Sequence, residues 1–277
     1  TVDAFGLEQP EMEKAGLGPV CFMPWDFSRG GDAMAVGPGI KTAADLRGRK
    51  IACAEGTPSH FLGLFILNRA GMQSTDVQWI WTSSAIEAAN IFKAGKSDAC
   101  ISWAPDVFNA ANAVSGGRIL ASTNDATNLI ADIFITRRDF LTAHSHELAA
   151  LAAGWYMGVG EVKRDMGAAS RTMADAFTGI SLDDAKGMLE SVHLMDYHEA
   201  RRFFAIAGAP MPTDYDAILH SAQGIWRNLG MISTIAPPAS TRDNSVLEAI
   251  AAHFPAAPSE AKAEFAFRKD AKVTGPG

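Results

Sequence analysis

Residues 56–60 read Gly-Thr-Pro-Ser-His and run directly into the apolar stretch FLGLFILNRAG. A helix N-terminus leaves backbone N–H groups unpaired and carries a partial positive charge, so it can take an anion without any basic side chain. The turn has the parts for this. Gly56 allows close backbone approach, Thr57 and Ser59 carry hydroxyls, and Pro58 stiffens the helix entry. The same residues also suit plain capping, with Thr57 or Ser59 accepting from the first helical turn. Two other polar segments could join such a site. ISWAPDV (101–107) ends a strand-like run on Trp103, which suits either a pocket wall or a core, and Asp106 can cap the next helix or accept from a ligand amine. PWDFSRGGDAM (24–34) reads as a glycine-rich turn that offers Asp26, Ser28 and Arg29 as hydrogen-bonding groups.

Catalytic signatures are missing: there is no GxSxG, GxxxxGK[ST] or HExxH, and no GxGxxG after a strand. Ser59 and His60 are adjacent, and side chains one apart on a helix do not face each other, so they are not a nucleophile and its base on that ground. His144 and His146 form an H-x-H, and His193 and His198 lie further on, without a carboxylate at ligand spacing. Solvated or capping histidines are expected, with no metal and no cofactor. Cys21, Cys53 and Cys100 give an odd count with no CxxC, and Cys53 and Cys100 sit in apolar, strand-like runs. Buried thiols are expected rather than a disulfide framework or a zinc site.

The elements that must position these groups follow from the pattern along the 277 residues. Strands are expected at 50–56, 76–83 and 98–105 with a short one over RILAST, alternating with helices over SHFLGLFILNRAG, SAIEAANIFKAG and DVFNAANAV. Strands alternating with helices of this length predict βαβ units and a parallel sheet. After IADIFITRRDF (131–140) the chain reads helical, with Ser145 expected to cap ELAALAAGWYMGVGEVKRD despite its interior glycines. Ser181 with Asp184, and Thr213 with Asp216, follow the capping-box pattern. The stripe Ile218, Leu219, Ala222, Ile225, Trp226, Leu229 predicts one buried helix face. Beyond about Ala236 the composition turns to Ala, Pro and Ser, expected as a tail or linker with one further helix around NSVLEAIAAHF.

Bulk properties narrow the class. With 48% apolar and 20% charged residues, the chain has the balance of a globular protein with a sizeable core. A net charge of -7 without a basic stripe argues against nucleic acid as a partner. No apolar run reaches the ~20 residues of a transmembrane helix. No signal peptide is visible and the chain opens on Thr1, which is expected to follow from processing, trimming or excision from something longer.

Taken in order, GIKTAADLRGRKIACAEGTPSHFLGLFILNRAGM, then AANIFKAGKSDACISWAPDV, then LIADIFITRRDFL resembles the periplasmic substrate-binding proteins of the nitrate, sulfonate and taurine class of ABC importers. The carrying positions are Asp45 to Ala52, Gly56 to His60, Phe92 to Ala99 and Trp103 to Asp106. The resemblance implies an α/β fold of two lobes, periplasmic-binding-protein-like of type II, with parallel-rich sheets and a ligand in the cleft. It implies crossing strands at 33–39 and 131–137. Residues 1–34 and 134–235 would then form one discontinuous lobe, residues 35–133 the other, and 236–277 a C-terminal tail or linker. Ligand contacts implied are Gly56, Thr57, Ser59 and His60 in the turn, Trp103 at the strand end, Asp26 and Ser28 before the first crossing, and Asp132 at the second. One departure stands out: TVDAFGLEQPEMEKAG shows no opening strand, so the chain resembles a member joined after its first βα unit or units, with that lobe incomplete.

The expectation is a solute-binding component, not an enzyme: a periplasmic monomer that captures a small anionic or zwitterionic solute, such as a sulfonate, nitrate or phosphonate, and delivers it to an ABC transporter permease. The rivals are an enzyme on the same bilobal fold, as in pyrimidine biosynthesis, and an envelope scaffold whose cleft is vestigial.

Overall fold

Two β-sheets organise the computed structural model, which describes residues 1–206 and 214–255. Helix α1 (Val2–Lys14) leads into β1 (Pro19–Ser28), the middle strand of the first sheet. Three residues later β2 (Asp32–Val36) belongs to the second sheet. That sheet is completed by β3 (Lys50–Ala54), β4 (Gln78–Thr82), β5 (Ala99–Trp103) and β6 (Arg118–Ser122), interleaved with α2 (Pro58–Arg69), α3 (Ala85–Lys93) and α4 (Asp106–Ala113). The chain then returns to the first sheet as β7 (Ala131–Arg137). Helices α5 (Arg138–Ala143), α6 (Ser145–Arg164), α7 (Met166–Ala176) and α8 (Leu182–Glu190) precede the short β8 (Val192–Leu194), followed by α9 (Tyr197–Phe203), α10 (Asp214–Asn228), α11 (Pro238–Thr241) and α12 (Ser245–Ala249).

The second sheet has the order β4-β3-β5-β2-β6. Its parallel ladders are confined to β3 with β4 and β3 with β5, and β2 runs antiparallel to both β5 and β6. The expected parallel sheet is therefore mixed, because β2 enters from the other sheet rather than through a helical crossover. The first sheet, β7-β1-β8, is antiparallel throughout. The implied crossing strands need correction as well: 33–36 and 131–137 each lie inside one sheet, and the chain passes between sheets at 29–31 and 123–130.

β1 departs most from the sequence expectation. Residues 24–28, read as a turn, extend a ten-residue strand in which every residue but Trp25 is buried. A middle strand with elements on both faces buries polar positions along with apolar ones. In the first sheet's core, Phe22, Met23 and Phe27 pack with Tyr156 of α6, Phe203 of α9 and Tyr215 of α10. The helix expected around NSVLEAIAAHF is α12, and its Val246 and Leu247, with Ile250 just after it, are buried in the same core, so this stretch of the expected tail is packed into the fold. The remainder of that tail, 256–277, lies outside the described residues, as does the capping position expected at Thr213.

In the second sheet, Ile51, Cys53 and Ile101 face α2, while Ala52, Cys100 and Ala35 face α3 and α4. Helix α2 comes very close: a Cβ on Gly63 would stand 2.5 Å from Ile101 Cδ1 and 3.0 Å from the Trp79 ring. Among the capping expectations, Ser181 and Asp184 form the reciprocal box at α8. Ser145 instead lies inside the first turn of α6, which has His144 at its N-cap and runs unbroken through its glycines. The stripe on α10 divides its burial: Ile218 and Leu219 enter the first core, and Ala222 and Trp226 enter the second.

Candidate functional site

Where the chain passes between the sheets, a short polar network fixes the geometry. The hydroxyls of Ser28 and Thr123 are 2.8 Å apart. The Gly30 amide donates to Thr123 Oγ1 at 2.7 Å, and the Asp32 amide donates to Ser28 Oγ at 3.1 Å. Gly30 sits at φ +100°, a conformation that favours glycine, and its α-carbon lies close to the Asn124 side chain. The Ala104 amide donates to Gly31 O at 2.8 Å, which ties the end of β5 to the same point.

Against this junction lies a cavity of about 330 Å³, at the small end of the range for ligand pockets. Ser28 and Asp132 come from the first sheet, Asp32 and Trp103 from the second, Pro58 from the first turn of α2, and Met188 and Ser191 from around α8. Of the residues expected in the site, Ser28, Trp103 and Asp132 line this cavity. Asp26 stands opposite Asp132 in the β1–β7 register and is 6% exposed.

The polar turn contributes differently from expectation. Thr57 is the N-cap of α2, but its hydroxyl donates to Ala54 O at 2.7 Å instead of capping the helix. Gly56 takes the left-handed conformation, φ +70°, and its amide donates to His60 Nδ1 at 3.3 Å. His60 is enclosed by Trp79, Trp81 and Trp226, with ring centroids 4.7–5.4 Å away, so its ring serves the packing between α2, β4 and α10 and does not line the cavity. Burial pushes its pKa down to about 4, so the ring is neutral. Ser59 is fully buried and its Oγ has no hydrogen-bond partner. From this turn only Pro58 borders the cavity.

Sequence reasoning missed Asp32, Gly31 and the Met188 to Val192 edge. Asp32 had a signal, a carboxylate directly after Gly-Gly; the α8–β8 edge had none, because its place depends on β8 pairing with β1. Burial pushes the Asp32 carboxyl up to about 7. Asp26 is pushed up to about 8, first by burial and then by the negative charge of Asp132 and a hydrogen bond to it. Asp3 of α1, fully buried, is pushed up to about 6 by burial. The three thiols lie in the cores, and burial raises each; Cys100 is pushed up to about 12. His144 and His193 face Glu147 and Glu199, at 3.8 and 2.9 Å.

Comparison with known proteins agrees with this architecture. Residues 33–164 match the family described as NMT1/THI5 like. Over 101 residues the chain is 36% identical to an Escherichia coli (strain K12) protein named as an aliphatic sulfonates-binding protein, covering 36% of this chain and 31% of that one. The match thus spans about a third of that relative's length. Among solved structures, the periplasmic aliphatic sulphonate binding protein SsuA of Escherichia coli superposes with a TM-score of 0.67 at 18% identity, covering 85% of this chain and 77% of that one. The alkanesulfonate-binding SsuA of Xanthomonas axonopodis pv. citri, bound to MOPS, gives 0.67 and 18% over 86% and 78%. The desulfurization enzyme DSZB gives 0.55 and 17% over 87% and 82%. The fold is the two-lobed α/β fold of periplasmic binding proteins, and the resemblance read from the ordered motifs is borne out.

Proposed function

We propose that this chain is the solute-binding component of an ABC-type importer, holding a small solute in the cavity between its two sheets and presenting it to a membrane permease. The cavity carries this reading, because residues of both sheets and both interlobe passages meet around it beside one partly exposed tryptophan. The lobes are assigned as 1–28 with 131–235, and 32–122, moved from the expected bounds because β2 lies wholly in the second sheet and β7 wholly in the first. Closure about 29–31 and 123–130 would trap the solute, and the closed form would dock on the permease. We assign the protein to the periplasm, as a monomer.

An acidic group of the solute is placed at the first turn of α2. That turn borders the cavity at Pro58, has no side-chain cap, and has an unpartnered hydroxyl at Ser59. No bond is made or broken in this role. The buried thiols, and the lack of thiol or imidazole among the described residues lining the cavity, favour binding over chemistry. The test is a thermal-shift screen of small sulfonates, phosphonates, carboxylates and amino acids. A solute at 100 times its dissociation constant adds about 2.7 kcal/mol to stability, and silence across the panel overturns the assignment. Thr57→Asp places a like charge at the helix end and is expected to weaken an acidic solute by about 0.5–2 kcal/mol in calorimetry. Unchanged affinity would remove the acidic group from α2 while leaving solute binding intact.

A further inference from the structure

We propose that the end of the second sheet remote from the cavity is a docking face for an anionic lipid bilayer. This goes beyond the solute-binding reading and does not depend on it. Between residues 32 and 122 the chain has eight Lys and Arg residues, and all of them are exposed at that one end. Lys41, Arg47 and Arg49 lie in the connection from β2 to β3, and Lys50 opens β3. Arg69 and Lys93 close α2 and α3, Lys96 precedes β5, and Arg118 opens β6, where it pairs with the end of β2. These positions are scattered along the sequence, and only the fold gathers them. Backbone contacts show the gathering: Arg118 Nη2 donates to Ile40 O and Lys41 O at 2.8 and 2.6 Å, and the Asp98 amide donates to Lys50 O at 2.9 Å.

The carboxylates of the lobe divide differently. Asp32, Glu55, Glu87 and Asp106 sit at the cavity end, where β3, β4 and β5 finish. Asp45, Asp76 and Asp98 share the basic end, and each is already engaged. Asp76 pairs with Arg47, Asp98 with Arg49 at 3.6 Å and with the Lys50 amide at 2.8 Å, and Asp45 accepts from the amides of Lys41 and Thr42. Among the described residues no carboxylate forms an ion pair with Lys41, Lys50, Arg69, Lys93, Lys96 or Arg118. The lobe is thus nearly neutral in sum and strongly polarised, inside a chain of net charge -7.

The chemistry of this face selects a bilayer over a protein or a nucleic acid. The large apolar side chains left exposed in the lobe, Trp81, Ile86 and Trp103, lie at the cavity end. The basic end therefore lacks the aromatic anchors that carry protein interfaces, whose cores are depleted in lysine. Helices α2, α3 and α4 turn their C-termini toward it, so it offers no α-helix N-terminus to seat a nucleic-acid phosphate. What remains is a spread of point charges, which suits the diffuse negative potential of a lipid surface. Docked this way, the lobe holds its cavity end away from the bilayer and open to solute.

The experiment uses the full chain in flotation with vesicles of phosphatidylcholine, alone or with phosphatidylglycerol as about one lipid in three. Duplex DNA and poly-glutamate are tested beside them as soluble polyanions. The chain is expected to bind the anionic vesicles at about 0.02 M salt, to leave them as salt approaches about 0.5 M, and to ignore the neutral ones. A basic residue at an anionic surface strengthens binding about fivefold. The fourfold variant Lys41→Gln, Lys50→Gln, Lys93→Gln and Lys96→Gln is therefore expected to bind at least about tenfold more weakly, with its melting point kept. A matched variant, Arg171→Gln, Lys186→Gln, Arg202→Gln and Arg227→Gln, removes as many exposed cations outside this lobe and is expected to bind as the parent does. No binding to anionic vesicles at low salt overturns the docking face. An equal loss in the two variants overturns it too, since net charge alone would then account for the binding. So does tighter binding to DNA or poly-glutamate than to the vesicles. The solute screen decides the solute-binding reading separately from all of these outcomes.

Discussion

Trp103 keeps 39% of its surface exposed although Ala99, Cys100, Ile101 and Ser102 on the same strand are fully buried. Its removal should therefore cost binding rather than folding. Trp103→Ala is expected to weaken a bound solute by about tenfold and to leave the melting point of the free protein nearly unchanged. A matched loss of both would make Trp103 a packing residue. At this scale the sequence showed which residue types were available but not their company. Trp103 could be named because an aromatic group at a strand end commonly borders a cleft, and Ser28 and Asp132 because the family resemblance implies contacts there. His60 could not be separated from them, because what encloses it is Trp226, 166 positions away in the chain. Asp26 was taken for a loop residue because prolines and polar side chains disguise the end of β1.

Among the elements, α2 and its sheet depend on a close approach made at one position. Gly63 has helical geometry that alanine can adopt, but its added methyl group would crowd Ile101 Cδ1 and the Trp79 ring. Gly63→Ala is expected to destabilise the protein by about 1–3 kcal/mol despite the better helix propensity of alanine. A stabilised variant in denaturant unfolding would refute the packing account. The βαβ run from β3 to β5 was legible because its alternation of apolar strand and helix is local. β1 was not, since its burial comes from β7 and β8 more than a hundred residues later. The double duty of α10 was equally hidden: a single apolar stripe looks the same whether it meets one core or two.

For the whole molecule, the buried aspartates set the dependence of stability on pH. Asp26, Asp32 and Asp3 have folded pKa values of about 8, 7 and 6, all above the unfolded value of 3.8. The native state thus binds more protons than the unfolded chain, and their contribution is complete below pH 4 and lost as pH rises through 8. His60, lowered to about 4, acts in the opposite sense, but only between about 4 and 6.5. Between pH 6.5 and 8 the raised Asp26 and Asp32 carboxyls still lose protons in the native state. The melting point of the free protein should fall across that interval, by about 2–4 °C per kcal/mol lost, and Asp26→Asn should flatten the slope. A melting point that rises with pH there would contradict the burial of these carboxyls in the native state.

Helix α10 gives the molecule a resting position. Its Trp226 donates Nε1–H to Asp3 O of α1 at 2.9 Å while its ring packs against His60 and Phe61 of α2. A swing that parted the lobes fully would return that indole to water. For ~200 Å² of apolar surface at ~25 cal/mol/Å², this costs about 5 kcal/mol. That cost weighs against wide parting by itself, before any other contact that opening would change. In the proposed solute-binding role, solute exchange would then use smaller excursions that keep Trp226 seated.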